Sequence, residues 1–150
     1  MISVKEELYN TCAEFVENRL LKIQSTISDI QTSLLSETKS SAGDKHETGR
    51  AMLQLEREKA GQQLAEIQNI KAQFSRIDIE RSSDIVGLGS LVFTKKRNFF
   101  IAISAGGLIV NKEVFYAISP KTPIGQLLMG KSVGAQISFR EQSFVIEKVC

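Results

Sequence analysis

The sequence predicts an α+β chain: an N-terminal antiparallel helical hairpin with a coiled-coil seam, then a small antiparallel sheet domain carrying one short helix. Three observations predict it. Apolar residues in the first half recur every three or four positions, and the period shortens to two beyond a group of breakers around Ser82-Ser83-Asp84. A short polar loop also separates two helix-forming stretches of similar length.

In the first stretch Val16, Leu20, Ile23, Ile27, Ile30 and Leu34 follow a 4-3-4-3-4 spacing, and Leu8 and Cys12 extend the stripe upstream. That is the a/d pattern of a seam in which one helix face packs on one partner helix. Glu14, Glu17, Asn18, Arg19, Lys22, Gln24, Asp29 and Gln31 fill the other faces. A helix over roughly residues 3–36 is about 50 Å long at 1.5 Å per residue. The second stretch repeats the spacing with Leu53, Ala60, Leu64, Ile67 and Phe74. Gly49 and Gly61 each weaken it by about 1 kcal/mol relative to Ala, so packing must hold it. An antiparallel hairpin is the simplest arrangement of two such helices.

Gly87-Leu88-Gly89-Ser90 follows as a further breaker, and strand-like runs begin. Leu91–Thr94 and Asn98–Ile103 flank Lys95-Lys96-Arg97 as a β-hairpin with a basic turn. Gly106-Gly107 precedes Leu108-Ile109-Val110, and Val114–Ile118 follows. Pro120 and Pro123 introduce a short helix, Ile124–Met129, with Pro123 in its first turn and Gly130 at its end. Two strands, Ala135–Arg140 and Ser143–Val149, complete the sheet. The domain boundaries expected are 1–78 for the hairpin, 79–89 for a linker and 90–150 for the sheet domain.

Composition excludes several classes. Hydrophobic content of 42% and charge of 24% are ordinary for a globular chain, so global disorder is not expected. Cys12 and Cys150 are spaced neither for a metal nor for a disulfide framework, which fits a reducing cytosol. The start, Met1 to Glu7, is charged and lacks an apolar signal core, and no run approaches the roughly 20 apolar residues that span a bilayer. A soluble, cytoplasmic protein is expected. The net charge of +2 is uneven. Residues 1–80 hold 10 Lys/Arg against 13 Asp/Glu, and residues 81–150 hold 9 against 4. An acidic rod joined to a basic domain suggests a bipartite partner, one containing nucleic acid, although ordinary scatter in a small protein gives the same imbalance.

The loop Ser40-Ser41-Ala42-Gly43-Asp44-Lys45-His46-Glu47 places two carboxylates at the far end of the hairpin. Asp44 and Glu47, spaced i,i+3, lie on one side of a first helical turn, about 5–6 Å apart. The same spacing is a capping box that satisfies free N–H groups at a helix start. His46, the single histidine, reads as a solvated loop residue. Arg50, one turn beyond Glu47, is placed to form a solvated pair with it. Lys95, Lys96 and Arg97 offer a nucleic-acid or protein contact, or simply a soluble edge. Phe99, Phe100, Phe115 and Phe139 fall within apolar runs and read as sheet core rather than a base-stacking surface.

The hairpin–linker–sheet layout resembles that of the GreA/GreB family of bacterial transcript cleavage factors. Gly43-Asp44-Lys45-His46-Glu47 is similar to the family's tip motif, Gly-Asp-x-x-Glu. Ile118-Ser119-Pro120 through Gly130-Lys131-Ser132-Val133-Gly134 is similar to its C-terminal signature of Ser-Pro, a short apolar helix and Gly-Lys-x-x-Gly. The resemblance implies an FKBP-like C-terminal domain and a hairpin that enters the secondary channel of bacterial RNA polymerase. There the tip acids Asp44 and Glu47 assist the polymerase's own cleavage of nascent RNA. No cofactor of the chain's own is implied; the Mg²⁺ is that of the polymerase active site, with Asp44 toward the metal and Glu47 toward its water or second shell. The expected factor is a monomer that meets DNA only indirectly and is not itself an enzyme.

The chain departs from the pattern in three places. The family usually continues Asn-Ala-Glu-Tyr after the tip motif, whereas Thr48-Gly49-Arg50-Ala51 follows here, so one acid is lost and a cation gained. Ala135 stands where an acid usually follows Gly-Lys-x-x-Gly, and Lys121-Thr122 reads as an insertion. A non-cleaving regulator of the same channel is the alternative. A peptidyl-prolyl isomerase or chaperone is a third, on fold analogy alone; against it, the C-terminal half lacks tryptophan and shows no obvious proline pocket. An ordinary enzyme fits least. No nucleophile–base arrangement has supporting context, and Ser104-Ala105-Gly106-Gly107 is too short to cradle phosphate.

Overall fold

Two long helices, α1 (Val4–Lys39) and α2 (Asp44–Phe74), open the chain, as the apolar spacing predicts. The computed structural model describes residues 3–39 and 44–150, without the side chains of residues 38–39 and 44–46. The chain divides into two units, Val16–Ala72 and Met1–Phe15 with Gln73–Cys150.

In the first unit Val16, Leu20, Ile23, Ile27 and Ile30 are buried along one face of α1, as are Ala60 and Ile67 of α2. Leu34, Leu53 and Leu64 are half-buried. The pairing is antiparallel. Glu17, early in the unit, forms an ion pair with Lys71 near the end of α2, and Glu37, late in α1, lies against Gly49 near the start of α2. Both partners of the Glu17–Lys71 pair are about half exposed, so the pair fixes register more than it adds stability. The stability comes from the stripe, because an isolated helix in water is marginal.

The second unit is built on a six-stranded sheet. Its strands are β1 (Leu91–Thr94), β2 (Asn98–Ile101), β3 (Gly106–Val110), β4 (Glu113–Ile118), β5 (Gln136–Phe139) and β6 (Gln142–Val149), in the order β3-β4-β2-β1-β6-β5. Helix α3 (Pro123–Leu128) connects β4 to β5. One pairing departs from the expected antiparallel sheet: β2 and β4 run parallel, with Phe99 opposite Tyr116 and Phe100 opposite Ala117. The reason is topological. β3 crosses to the sheet edge, and its tight turn into β4 returns the chain beside β2 in the direction of β2. That turn, Asn111-Lys112, has both φ angles positive (52° and 69°), and Arg140-Glu141 does the same between β5 and β6 (50° and 64°). Two successive left-handed residues match the twist of the flanking strands.

The core gathers Val86, Val92, Phe99, Ile101, Leu128, Ile137, Ile146 and Val149, with Tyr116, Ile118, Ile124 and Phe144 packed against it. Phe100, on the other side of β2, is also fully buried, so this strand is covered on both faces. Leu8 and Cys12 of α1 are fully buried in the same unit, where Tyr9 stacks on Phe74 at 4.6 Å. Burial pushes the Cys12 thiol up to about 12.

Helix α3 shows how local chemistry fixes a short element. The Thr122 hydroxyl accepts from the Gly125 N–H at 3.1 Å as N-cap, and Pro123 takes the first helical position. What reads in the sequence as an insertion, Lys121-Thr122, supplies the cap. Gly125 packs so closely that a Cβ there meets the Ser119 carbonyl oxygen at 2.2 Å and the Thr122 hydroxyl at 2.9 Å.

Gly125→Ala is therefore expected to destabilise the fold by about 1–3 kcal/mol through overpacking against backbone, read from urea midpoints. The Cys12 thiol gives a pH signature. Its unfolded form ionises near 9.0 while the folded form keeps its proton to about 12, so rising pH favours the unfolded chain across that window. Wild type should lose about 1.4 kcal/mol per pH unit there relative to Cys12→Ala, and equal pH profiles for the two proteins would contradict it.

Candidate functional site at the hairpin turn

α1 ends at Lys39 and its antiparallel partner α2 begins at Asp44; residues 40–43 between them lie outside the described residues. The expected polar loop is shorter than residues 40–47 suggest, because Asp44 to Glu47 already belong to α2. Both acids sit in the opening turn of a 31-residue helix. The exposed N–H groups and the dipole of a helix start favour negative charge there, which suits these residues to the position whatever else they do.

Glu47 is exposed, and Arg50 is exposed one turn further on. The expected Glu47–Arg50 pair does not form among the described residues, which leaves both charges open to a partner. The side chains of Asp44 and His46 lie outside the description, so the capping and tip roles of Asp44 both remain expectations from the sequence. Between the charged residues, Gly49 has room: a Cβ there meets the Glu37 carboxylate at 3.7 Å, an ordinary contact.

Lys95, Lys96 and Arg97 are exposed on the turn between β1 and β2, in the other unit. Thr94 organises that turn. Its hydroxyl donates to the Arg97 carbonyl at 2.6 Å and accepts from the Lys96 and Arg97 N–H groups at 3.2 and 3.0 Å. The basic side chains are thus carried on a hydrogen-bonded loop, and Arg97 lies over the Tyr116 ring at 5.4 Å. The structure therefore separates the predicted site residues into two groups, Asp44, Glu47 and Arg50 on α2, and Lys95, Lys96 and Arg97 on the sheet.

One feature escapes the sequence. Phe99, Tyr116, Ile118, Ile124, Phe139 and Phe144 line an apolar hollow of about 120 Å³ beside Arg97. It is smaller than the roughly 300–1,000 Å³ typical of ligand pockets and suits one side chain. Of the four phenylalanines expected in the sheet core, Phe99, Phe100 and Phe115 are at most 4% exposed, whereas Phe139 is only partly covered, as are Tyr116 and Phe144 beside it. Their residues come from four strands and α3, so no local motif could have announced the hollow. Among the described residues no cluster of three or more His, Cys, Asp or Glu is placed to hold a metal, and no helix is long and apolar enough to cross a membrane.

No family model matches the sequence, and no curated protein matches it. Among solved structures, the chain is similar to a GreA-like factor. The crystal structure of GreA factor homolog 1 (Gfh1) of Thermus thermophilus matches over 91% of this chain and 93% of that one, at 17% identity and a TM-score of 0.38. A second structure, of the transcription factor Gfh1, matches over 90% and 89% at the same identity and score. At that identity and score the likeness assigns no residue a role. The element order stands on its own: a long helical hairpin, then a mostly antiparallel sheet with one short helix, which is the layout the sequence resemblance implies.

Gly49→Ala is expected to stabilise α2 by about 0.5–1 kcal/mol, since helix propensity rises and the added methyl meets no close atom. A fall in the thermal midpoint would mean that the glycine serves a purpose other than packing.

Proposed function

We propose that this chain is a transcription elongation factor that binds RNA polymerase, entering its secondary channel hairpin-first and stimulating the intrinsic cleavage of backtracked RNA. The observation that carries this reading is the pairing of a Gly-Asp-x-x-Glu motif with its position: Asp44 and Glu47 open the second of two long helices where the hairpin reverses. Glu47 is exposed and meets no packing demand among the described residues. A helix cap needs one side-chain acceptor, and the first turn of α3 manages with Thr122 alone.

The chemistry follows from the residue types. Carboxylates are the oxygen donors that Mg²⁺ prefers, and Mg²⁺ keeps several waters, so one or two added ligands suffice to steady it. A Mg²⁺ held by the polymerase would supply polarisation of the scissile phosphodiester and activation of water. Asp44 contributes an oxygen toward that metal, and Glu47 accepts a hydrogen bond from the attacking water and holds it in place. Lys95, Lys96 and Arg97 give the sheet domain a positive edge for nucleic acid or an acidic polymerase surface. The chain supplies positioning, and the polymerase supplies the reaction.

Arg50 favours a second reading. It is an exposed cation one turn past Glu47, where the resembled family carries an acid, and a cation there opposes metal capture. In that case the hairpin occupies the channel without promoting cleavage.

A stalled, backtracked polymerase with end-labelled RNA at limiting Mg²⁺ separates the readings. Wild type should shorten the RNA. Asp44→Asn and Glu47→Gln should each slow the reaction about 10–100-fold while still binding polymerase, in line with the loss of one charged contact. Binding without shortening, unchanged by either substitution, makes the protein a channel regulator and the acids a helix cap.

A further inference from the structure

Residues 81–90 do not behave as a plain tether. Val86 donates to the Lys131 carbonyl at 2.8 Å and accepts from Gly130 at 2.9 Å, and Ile85 bridges to Ser132. Beside this anchored segment lies a cleft of about 400 Å³, and every residue lining it belongs to the unit that contains the sheet. Lys5 reaches it from the first turn of α1, and Arg76, Asp78 and Arg81 from the stretch after α2.

Among the described residues in its wall, three cations face a single carboxylate. Lys5 Nζ donates to two main-chain carbonyls, of Arg81 at 3.2 Å and Cys150 at 3.3 Å. Burial lowers its pKa, and the negative charges at Cys150 and Asp78 offset part of that effect. Asp78 accepts from the Glu80 N–H at 3.0 Å. Neither Arg76 nor Arg81 forms an ion pair among the described residues, so their guanidinium forks are free to grip an anion. Two hydroxyls add donors. Ser83 and Ser90 accept from the N–H groups of Ile85 and Gly87, which leaves each hydroxyl proton to give away. Ile85 and Leu88 line the same cleft and are 56% and 37% exposed, an apolar shelf next to a cationic hollow.

Like charges converging on one concavity repel until an anion sits between them. The volume falls within the range of small-molecule sites, and the cations converge on a hollow rather than spreading as the stripe that tracks a nucleic-acid backbone. We propose that this cleft binds a phosphorylated small molecule of nucleotide size. Lys5, Arg76 and Arg81 hold its phosphates, and Ile85 and Leu88 carry its ring. Arginine suits the role because its planar fork matches phosphate geometry.

Titration calorimetry on the full chain tests this with ADP, inorganic pyrophosphate and adenosine as probes. ADP should bind saturably, one per chain, with pyrophosphate weaker and adenosine undetected. Arg76→Gln and Arg81→Gln should each weaken ADP at least about tenfold with the melting curve unchanged, and Arg→Lys should retain part of the affinity. Lys121→Gln, outside the cleft, should match wild type. The proposal is overturned if ADP gives no saturable binding at low salt, if both Arg→Gln variants bind like wild type, or if Lys121→Gln loses as much affinity as they do. It is overturned equally if single-stranded RNA binds the cleft and ADP does not displace it.

Discussion

A helix that buries one residue in every three or four has a single face to give, and the stripe from Val16 to Ile30 gives it to an antiparallel partner. Everything placed at the hairpin's reversal depends on that seam. Neither helix is apolar enough to be core by itself, and α2 carries two glycines, so its ordered length is a property of the pair. The seam also sets what the reversal can hold. Toward the reversal the stripe thins: Leu34 and Leu53 are only half-buried, and Glu47 and Arg50 are exposed and open to a partner.

Much of this architecture was legible in the sequence because it rests on local periodicity. The a/d spacing gave both helices, the breakers near Ser82 gave the change of regime, and Pro123 with Gly130 bounded α3 to within a residue. The parallel pairing of β2 with β4 was not legible, because direction in a sheet is decided by how connections travel and not by any strand's composition. Asn111-Lys112 and Arg140-Glu141 were missed as tight turns because neither pair carries the glycine that usually announces positive φ. Thr122 reads as inserted sequence, whereas its hydroxyl caps α3. The basic turn was legible as charge, but its shape comes from the hydroxyl of Thr94, one residue outside it. The candidate site divides in the same way: Glu47 and Arg50 are read directly from the helix, whereas the cleft around Lys5, Arg76 and Arg81 assembles residues more than seventy positions apart.

The two units also differ in how they spend polar groups. In the hairpin, charged side chains lie along open faces, and the Glu17–Lys71 pair is half in water. In the sheet unit, hydroxyls do specific local work: Thr94 closes a turn, Thr122 caps a helix, and Ser90 receives Gly87. Among the described residues no buried side-chain polar atom lacks a partner. Cations placed over rings, Arg97 on Tyr116 and Arg140 on Phe139, shield aromatic faces that the sheet does not cover.

The place of β6 inside the sheet, between β1 and β5, bears on how the chain must be made. β1 is the first strand made, yet one of its two neighbours, the strand that sets Val149 against Val92, is synthesised only after β2 through β5. The helical hairpin can form as soon as it emerges, because its contacts are local along the chain. The sheet cannot close until its final strand arrives, so a nascent chain exposes the apolar edge of β1 for the whole interval. Termination before β6 would then release a folded hairpin tethered to an open, adhesive sheet, and translation speed between β1 and β6 becomes a determinant of yield.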